Sequence, residues 1–259
     1  GARRMNADVR QGDALDTLRS LPDRSVHAIV TDPPYCSGGS TETTRRNADA
    51  QGIASERLRS GAVQWFAGDN MTTAGLVWLL RAVAFEAERL LVPGGSLCVF
   101  CDWRMWANLA PALESGGLRL ANMVVWDKGS AGMGTGFKPT HELVAHLCNG
   151  PGKFHDRRGS NVLRFGRVRV ADKDHPTQKP VNLLQTLVRV TAPRGGLVVD
   201  PFCGSGSTGV ACKREGRDFL GVERDPKYCE VARSRLRGES EQTYLITESH
   251  HDTDTEDDA

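Results

Sequence analysis

Thr31-Asp32-Pro33-Pro34-Tyr35 sets a carboxylate, two proline carbonyls and an aromatic ring directly behind the apolar run Val-His-Ala-Ile-Val. Such a group could act on the amino group of a heteroaromatic base. That nitrogen is a poor nucleophile, because its lone pair is delocalised into the ring. A carboxylate and a carbonyl accepting its two hydrogens draw it toward tetrahedral geometry and aim the lone pair outward. Asp32 offers the carboxylate and Pro33 the carbonyl, while Pro33 and Pro34 fix φ and preorganise the acceptors. Tyr35 offers a flat face on which an extruded base can stack. The bland alternative is a proline-rich turn with Asp32 on the surface.

A second stretch, LVVDPFCGSGSTG over residues 197–209, ends an apolar strand in Asp200 and turns through glycines into a helix. Gly204, Gly206 and Gly209 satisfy G-x-G-x-x-G, whose glycines admit a nucleotide close to the backbone. The following strand, Asp218–Val222, carries Glu223 at its tip, where a carboxylate can take both hydroxyls of a ribose. This pairing points to an adenosine-containing cofactor without separating a nicotinamide dinucleotide from S-adenosylmethionine. Taken alone, it also fits an ordinary tight strand–helix turn.

Together, DPPY and DPFCGSGSTG resemble the amino-methylating DNA methyltransferases of the β type, in which the catalytic motif precedes the cofactor motif. Gly12-Asp13-Ala14-Leu15 is similar to the family's segment around the cofactor adenine, and His175-Pro176-Thr177-Gln178-Lys179-Pro180 to its stretch near the cofactor carboxylate. The resemblance spans residues 9–237 in five motifs, with Cys203 and Ser207 standing where Ala and Thr are frequent. It implies an S-adenosylmethionine shell of Asp13, Asp200, Phe202, Gly204, Gly206, Ser207, Thr208, Glu223 and Lys179. It implies direct methyl transfer to the exocyclic N6 of adenine in double-stranded DNA, with Asp32, Pro33, Pro34 and Tyr35 as the catalytic set. Cytosine N4 is the alternative target, although that activity more often carries Ser at the position of Asp32. A dehydrogenase would leave DPPY and HPTQKP unexplained, and a silent DNA-binding regulator would leave DPPY without a task. An RNA substrate is the weaker option, since no RNA-binding module is recognisable.

The elements that must position these residues follow an α/β rhythm. Candidate strands are 26–31, 96–101, 120–126, 143–147, 197–200 and 218–222; candidate helices are 74–91, 104–115, 181–190, 207–214 and 226–236. With the family order, the expected fold is a Rossmann-like S-adenosylmethionine-dependent methyltransferase sheet, circularly permuted, with a small recognition insertion. Residues near Val9–Asp13 should complete its cofactor half. One domain over 5–247 is expected, with the recognition region at 129–174 and an acidic disordered tail at 248–259. Residues 36–73 and 129–139 read as long loops.

Charge adds to this. The net charge is +1, but the tail holds six acids, so the body sums to +7. Residues 153–173 carry seven Lys/Arg against two acids, with Phe154 and Phe165 interleaved. Lys138, Arg157, Arg158, Arg164, Arg167 and Arg169 are therefore DNA-contact candidates, against the plain reading of a solvated face. So short a recognition region suits a short site or a homodimer, and a cognate restriction endonuclease is a partner that the resemblance admits.

Other features take plainer readings. Cys98-x-x-Cys101 falls within a strand, where an offset of three sends the side chains to opposite faces, so core cysteines are expected. His141-Glu142 and His146 mimic a zinc helix, but the spacing is wrong and the segment reads as a strand, so no metal is expected. Trp126 could shape a base pocket or fill the core, while Trp103 and Trp106 could anchor a helix start. Seven cysteines, an odd and scattered count, fit a reduced cytosol in a bacterial or phage-infected cell. No apolar run reaches the ~20 residues needed to span a bilayer, so no membrane association is expected.

Overall fold

The computed structural model describes residues 6–34, 72–130, 136–157, 159–167 and 178–249, with side chains through residue 238. Strands are β1 (Ala7–Gln11), β2 (Val26–Thr31), β3 (Leu91–Cys101), β4 (Arg119–Asp127), β5 (His141–Cys148), β6 (Val162–Arg164), β7 (Leu197–Asp200) and β8 (Asp218–Glu223). Helices are α1 (Ala14–Ser20), α2 (Thr73–Leu90), α3 (Trp106–Glu114), α4 (Val181–Thr191), α5 (Ser207–Glu215) and α6 (Pro226–Ser249). The strands form one sheet in the order β1-β8-β7-β2-β3-β5-β4-β6.

The first five strands in that order run parallel, β5 is antiparallel to both β3 and β4, and β6 lies parallel to β4. Alternation along each strand feeds two cores. Ile29, Leu97, Val99, Cys101 and Val199 face α1, α2 and α3. Ala28, Val30, Cys98, Phe100 and Val198 face α4, α5 and α6. Cys98 and Cys101 thus enter opposite cores, as the offset of three requires. Helices on both faces explain why the parallel strands read as continuous apolar runs rather than alternating ones.

The N-terminal strand pairs with β8 from Ala7–Phe219 to Gln11–Glu223, completing the half of the sheet built mainly by the C-terminal part of the chain. This is the permuted arrangement. Local chemistry marks the element ends: Asp13 caps α1 by accepting from the Leu15 and Asp16 amides, and Thr72 caps α2 through Gly75. Each such cap contributes about 1 kcal/mol.

Several details differ from the sequence expectation. Helix α1 and strand β6, only seven and three residues long, lie outside the elements that the sequence predicts. Helix α6 runs beyond 236 to Ser249, and residues 250–259 of the expected tail lie outside the described residues. A 3-10 turn, Trp103–Met105, precedes α3; Trp106 packs on the core, whereas Trp103 stays half exposed beneath the Arg104 guanidinium. Among the described residues no helix is long and apolar enough to cross a membrane.

Candidate active site

The parallel strands β1, β8, β7 and β2 all end at one edge of the sheet, and each delivers a carboxylate there: Asp13, Glu223, Asp200 and Asp32. These four line a single cavity of about 530 Å³, together with Pro33, Pro34, Phe202, Gly204, Ser207, Thr208 and Lys179. Brought to one place are therefore all the predicted catalytic and cofactor residues except Tyr35, which lies outside the described residues, and Gly206, which supports the wall from behind.

The glycine turn forms one wall. Gly204 and Gly206 adopt φ of +50° and +79°, a region that L side chains rarely enter. A Cβ on Gly206 would also stand 2.9 Å from that of Ala232 on α6. From the same helix, Arg235 donates to the Ser205 carbonyl and to the hydroxyls of Ser205 and Ser207, clamping the turn. Glu223 accepts from the amides of Gly204 (3.0 Å) and Asp225 (2.8 Å). Burial nevertheless pushes its carboxyl above the usual range, those N–H groups opposing the rise.

Asp200 is only 3% exposed and is engaged by the protein itself. Thr31 Oγ1 (2.7 Å) and the Phe202 amide (3.1 Å) donate to its Oδ1, and Thr208 Oγ1 (2.6 Å) to its Oδ2. It therefore braces β7, β2 and the start of α5. Burial pushes its carboxyl up to about 6, against the pull of those hydrogen bonds. The Thr31–Asp200 bond also sets the register of the site, holding Asp32 one residue beyond a strand tied directly to the glycine turn.

Lys179 sits inside the cavity wall, 6% exposed, with its Nζ 2.5 Å from Asp32 Oδ2 and 3.3 Å from Glu142 Oε2. Its ammonium lies over the Phe100 ring at 5.1 Å. Burial disfavours its charge, yet the facing carboxylates of Asp32 and Glu142 raise its pKa on balance. Glu142 in turn holds Lys128 Nζ at 2.5 Å through Oε1. Burial likewise opposes ionisation of Glu142, but the two ammonium groups keep its carboxyl below the usual range.

Sequence reasoning missed Glu142 and Lys128. In the sequence Glu142 is a lone charge opening the apolar run ELVAHLC, and its only local signal is the false zinc spacing with His141 and His146. Trp126 proves to be core: it is 3% exposed, its indole donates to the Phe165 carbonyl at 2.7 Å, and Lys128 lies over its ring. Among the described residues no cluster of three metal-ligating side chains exists.

The basic candidates divide. Asp127 is in register with both His141 and Arg164, and Cys101 with Leu143, so Arg164 emerges at the same sheet edge as Asp32. Lys138, exposed, leads into β5 at that edge, and exposed Arg167 follows β6. Arg164 pairs with Asp127 at 2.9 Å. Arg157 is held elsewhere: its neighbour Asp156 pairs with Arg189 and the His155 amide donates to Val190, at the far end of α4. Arg158, Arg169 and residues 175–177 lie outside the described residues.

Residues 26–234 match the N6/N4 family profile described as DNA methylase. The chain is similar to the type II methyltransferase M.HpaI of Haemophilus parainfluenzae, 26% identical over 88% of this chain and 73% of that protein. It is likewise similar to M.HinfI of Haemophilus influenzae, 28% identical over 88% and 68%. Among solved structures, the PvuII DNA methyltransferase (cytosine-N4-specific) superposes with a TM-score of 0.69 at 20% identity, over 89% of this chain and 86% of that one. The M1.HpyAVI–SAM complex does so with 0.63 at 22% identity, over 89% and 98%.

Proposed function

The chain belongs to the N6/N4 DNA methylase family, and on that premise we infer that it transfers a methyl group from S-adenosylmethionine to the exocyclic N6 of adenine in double-stranded DNA. The observation that carries this reading is the joining of Asp32-Pro33-Pro34 to the glycine turn in one cavity, through the Thr31–Asp200 hydrogen bond. A methyl donor lodged against the turn then stands beside the acceptors for the amine.

The lining fits that cofactor. Glu223 at the tip of β8 suits a ribose, the side-chain-free Gly204 admits close approach, and Asp13 stands at the neighbouring strand end. When bound, the cofactor supplies a methyl electrophile. The chain's part is to hold the base: the Asp32 carboxylate and Pro33 carbonyl accept the two amino hydrogens, leaving the lone pair directed at the donor. The prolines keep those acceptors from reorganising. Tyr35 stacks on the extruded base. Asp200 acts as the brace of this arrangement, and Lys138, Arg164 and Arg167 meet the duplex.

The test is transfer of radiolabelled methyl to unmethylated bacterial genomic DNA, followed by nucleoside mass spectrometry. N6-methyladenine is the expected product. 4-Methylcytosine would keep the mechanism and overturn the base, and no product on any DNA would overturn the reading. Asp32→Ala is expected to bind cofactor within a few-fold of the wild type by calorimetry and to lose transfer by at least about 10³-fold. Retained turnover would remove Asp32 from the mechanism.

A further inference from the structure

Asp32 does not stand alone at the end of β2. Behind it runs a chain of alternating charge, Asp32–Lys179–Glu142–Lys128, drawn from four separate places in the sequence. All four links are well shielded from water: the side chains of Lys179, Lys128, Glu142 and Asp32 are 6%, 13%, 20% and 20% exposed. Two ammonium groups and two carboxylates balance, so the cluster carries no net charge into the sheet edge. Glu142 is its pivot, because each of its oxygens holds a different lysine.

We propose that Glu142 is a positioning residue of the transfer step, which fixes the Lys179 ammonium against Asp32 so that this carboxylate is presented in one place as a hydrogen-bond acceptor. The proposal rests on the methyltransferase reading above and adds a task for two residues outside its motifs. Lysine is a flexible point charge on a four-carbon stem, and a single partner leaves it free to swing. With Glu142 on one side, the Phe100 ring beneath and Asp32 on the other, Lys179 has one seat. Glu142 is itself steadied from outside by Lys128, whose ammonium lies over Trp126. Asp32 held in this way is presented as an acceptor of the amine's hydrogen bond. The proton leaves only once the nitrogen–methyl bond has formed and the sulfur–methyl bond has broken, from a nitrogen that is then cationic and strongly acidic. That suits aiming a lone pair rather than removing a proton before attack.

Glu142→Gln keeps the shape and removes the charge. With both substrates saturating, its single-turnover rate is expected to fall on the order of 10- to 100-fold, the range for misplacing a reacting group. Cofactor affinity by calorimetry and KM for DNA should stay within about threefold. Glu142→Asp, which restores the charge, should recover part of the rate. Loss in cofactor affinity matching the loss in rate would instead assign the lysine to the cofactor, and an unchanged rate in a folded variant would overturn the proposal.

A second readout needs no activity. The groups facing Lys179 among the described residues are Asp32 after β2 and Glu142 on β5. Asp200 lies beyond Asp32, while Lys128 and Cys101 lie beside Glu142. Removing Glu142 takes away one of the two carboxylates that oppose burial among the described residues, so the ammonium must lose its proton at lower pH. NMR titration of labelled lysines, with Lys179 assigned through Lys179→Arg, should show that downward shift in Glu142→Gln. An unmoved titration would overturn the proposal whether or not the wild type methylated DNA, whereas a shift without any methylation would leave the Glu142–Lys179 contact standing and overturn the functional reading, and with it the task in transfer.

Discussion

At the scale of single residues, the site separates side chains that meet a ligand from those that hold others in place. Asp200 belongs to the second kind, since its three donors all come from the protein. This has a consequence for stability. Its folded pKa, about 6, lies above the ordinary 3.8. A raised carboxyl contributes stability that is fully present below the unfolded value and lost as pH rises through the folded one. The window is therefore pH 4 to 6, and the size about 3 kcal/mol. Asp200→Asn keeps an acceptor for Thr31 and cannot ionise. In denaturant titrations the wild type should gain on this variant by that order as pH falls from 7 to 4. Parallel pH profiles would show that Asp200 ionises without cost.

At the scale of elements, the glycine turn is held by close approach as much as by sequence. Gly209, in the first turn of α5, would bring a Cβ to 2.6 Å from the Phe219 ring on β8, and Gly206 is both left-handed and pressed against α6. Gly206→Ala and Gly209→Ala should each lower stability by about 1–3 kcal/mol. Gly206→Ala should also weaken cofactor binding, because the strain falls in the cavity wall; thermal shift with and without S-adenosylmethionine separates the two effects. Both glycines were legible in the sequence as a spacing. So were Asp32 and Asp200, because strand ends followed by Pro announce themselves locally, and Glu223, as the charge that closes an apolar strand. The pivot Glu142 was not. Its meaning depends on β5 running antiparallel beside β3, which turns the start of that strand toward the site, and no local pattern encodes a neighbour's direction. Strand β6 escaped for a related reason: three residues in a basic segment become a strand only because β4 offers an edge.

At the scale of the molecule, one edge of the sheet gathers opposite charges for different purposes. The cavity is lined by carboxylates, while farther along the same edge the exposed cations Lys138, Arg164 and Arg167 stand before β5, at the end of β6 and just after it. The pairings Thr31–Val99, Cys101–Leu143, His141–Asp127 and Asp127–Arg164 place these along one rim. A duplex lying on that rim would present its phosphates to Lys138, Arg164 and Arg167 while a base enters the cavity. Arg157, tied toward the far end of α4, would stay outside the contact. Because each neutralised phosphate releases condensed counterions, DNA affinity should fall linearly in log–log form with salt, by ~0.9 per contact. Arg164→Ala should reduce that slope by about 0.9, and the triple alanine variant at 138, 164 and 167 by roughly three times as much, with Arg157→Ala leaving it unchanged. The pairing of Arg164 with Asp127 does not prevent this, since an ion pair on a side chain 80% exposed is weak and easily exchanged for a phosphate. Fluorescence anisotropy across a salt series reads all of these slopes. A slope that responded to Arg157 rather than Arg164 would place the duplex on a different face of the protein and detach the basic segment from the catalytic edge.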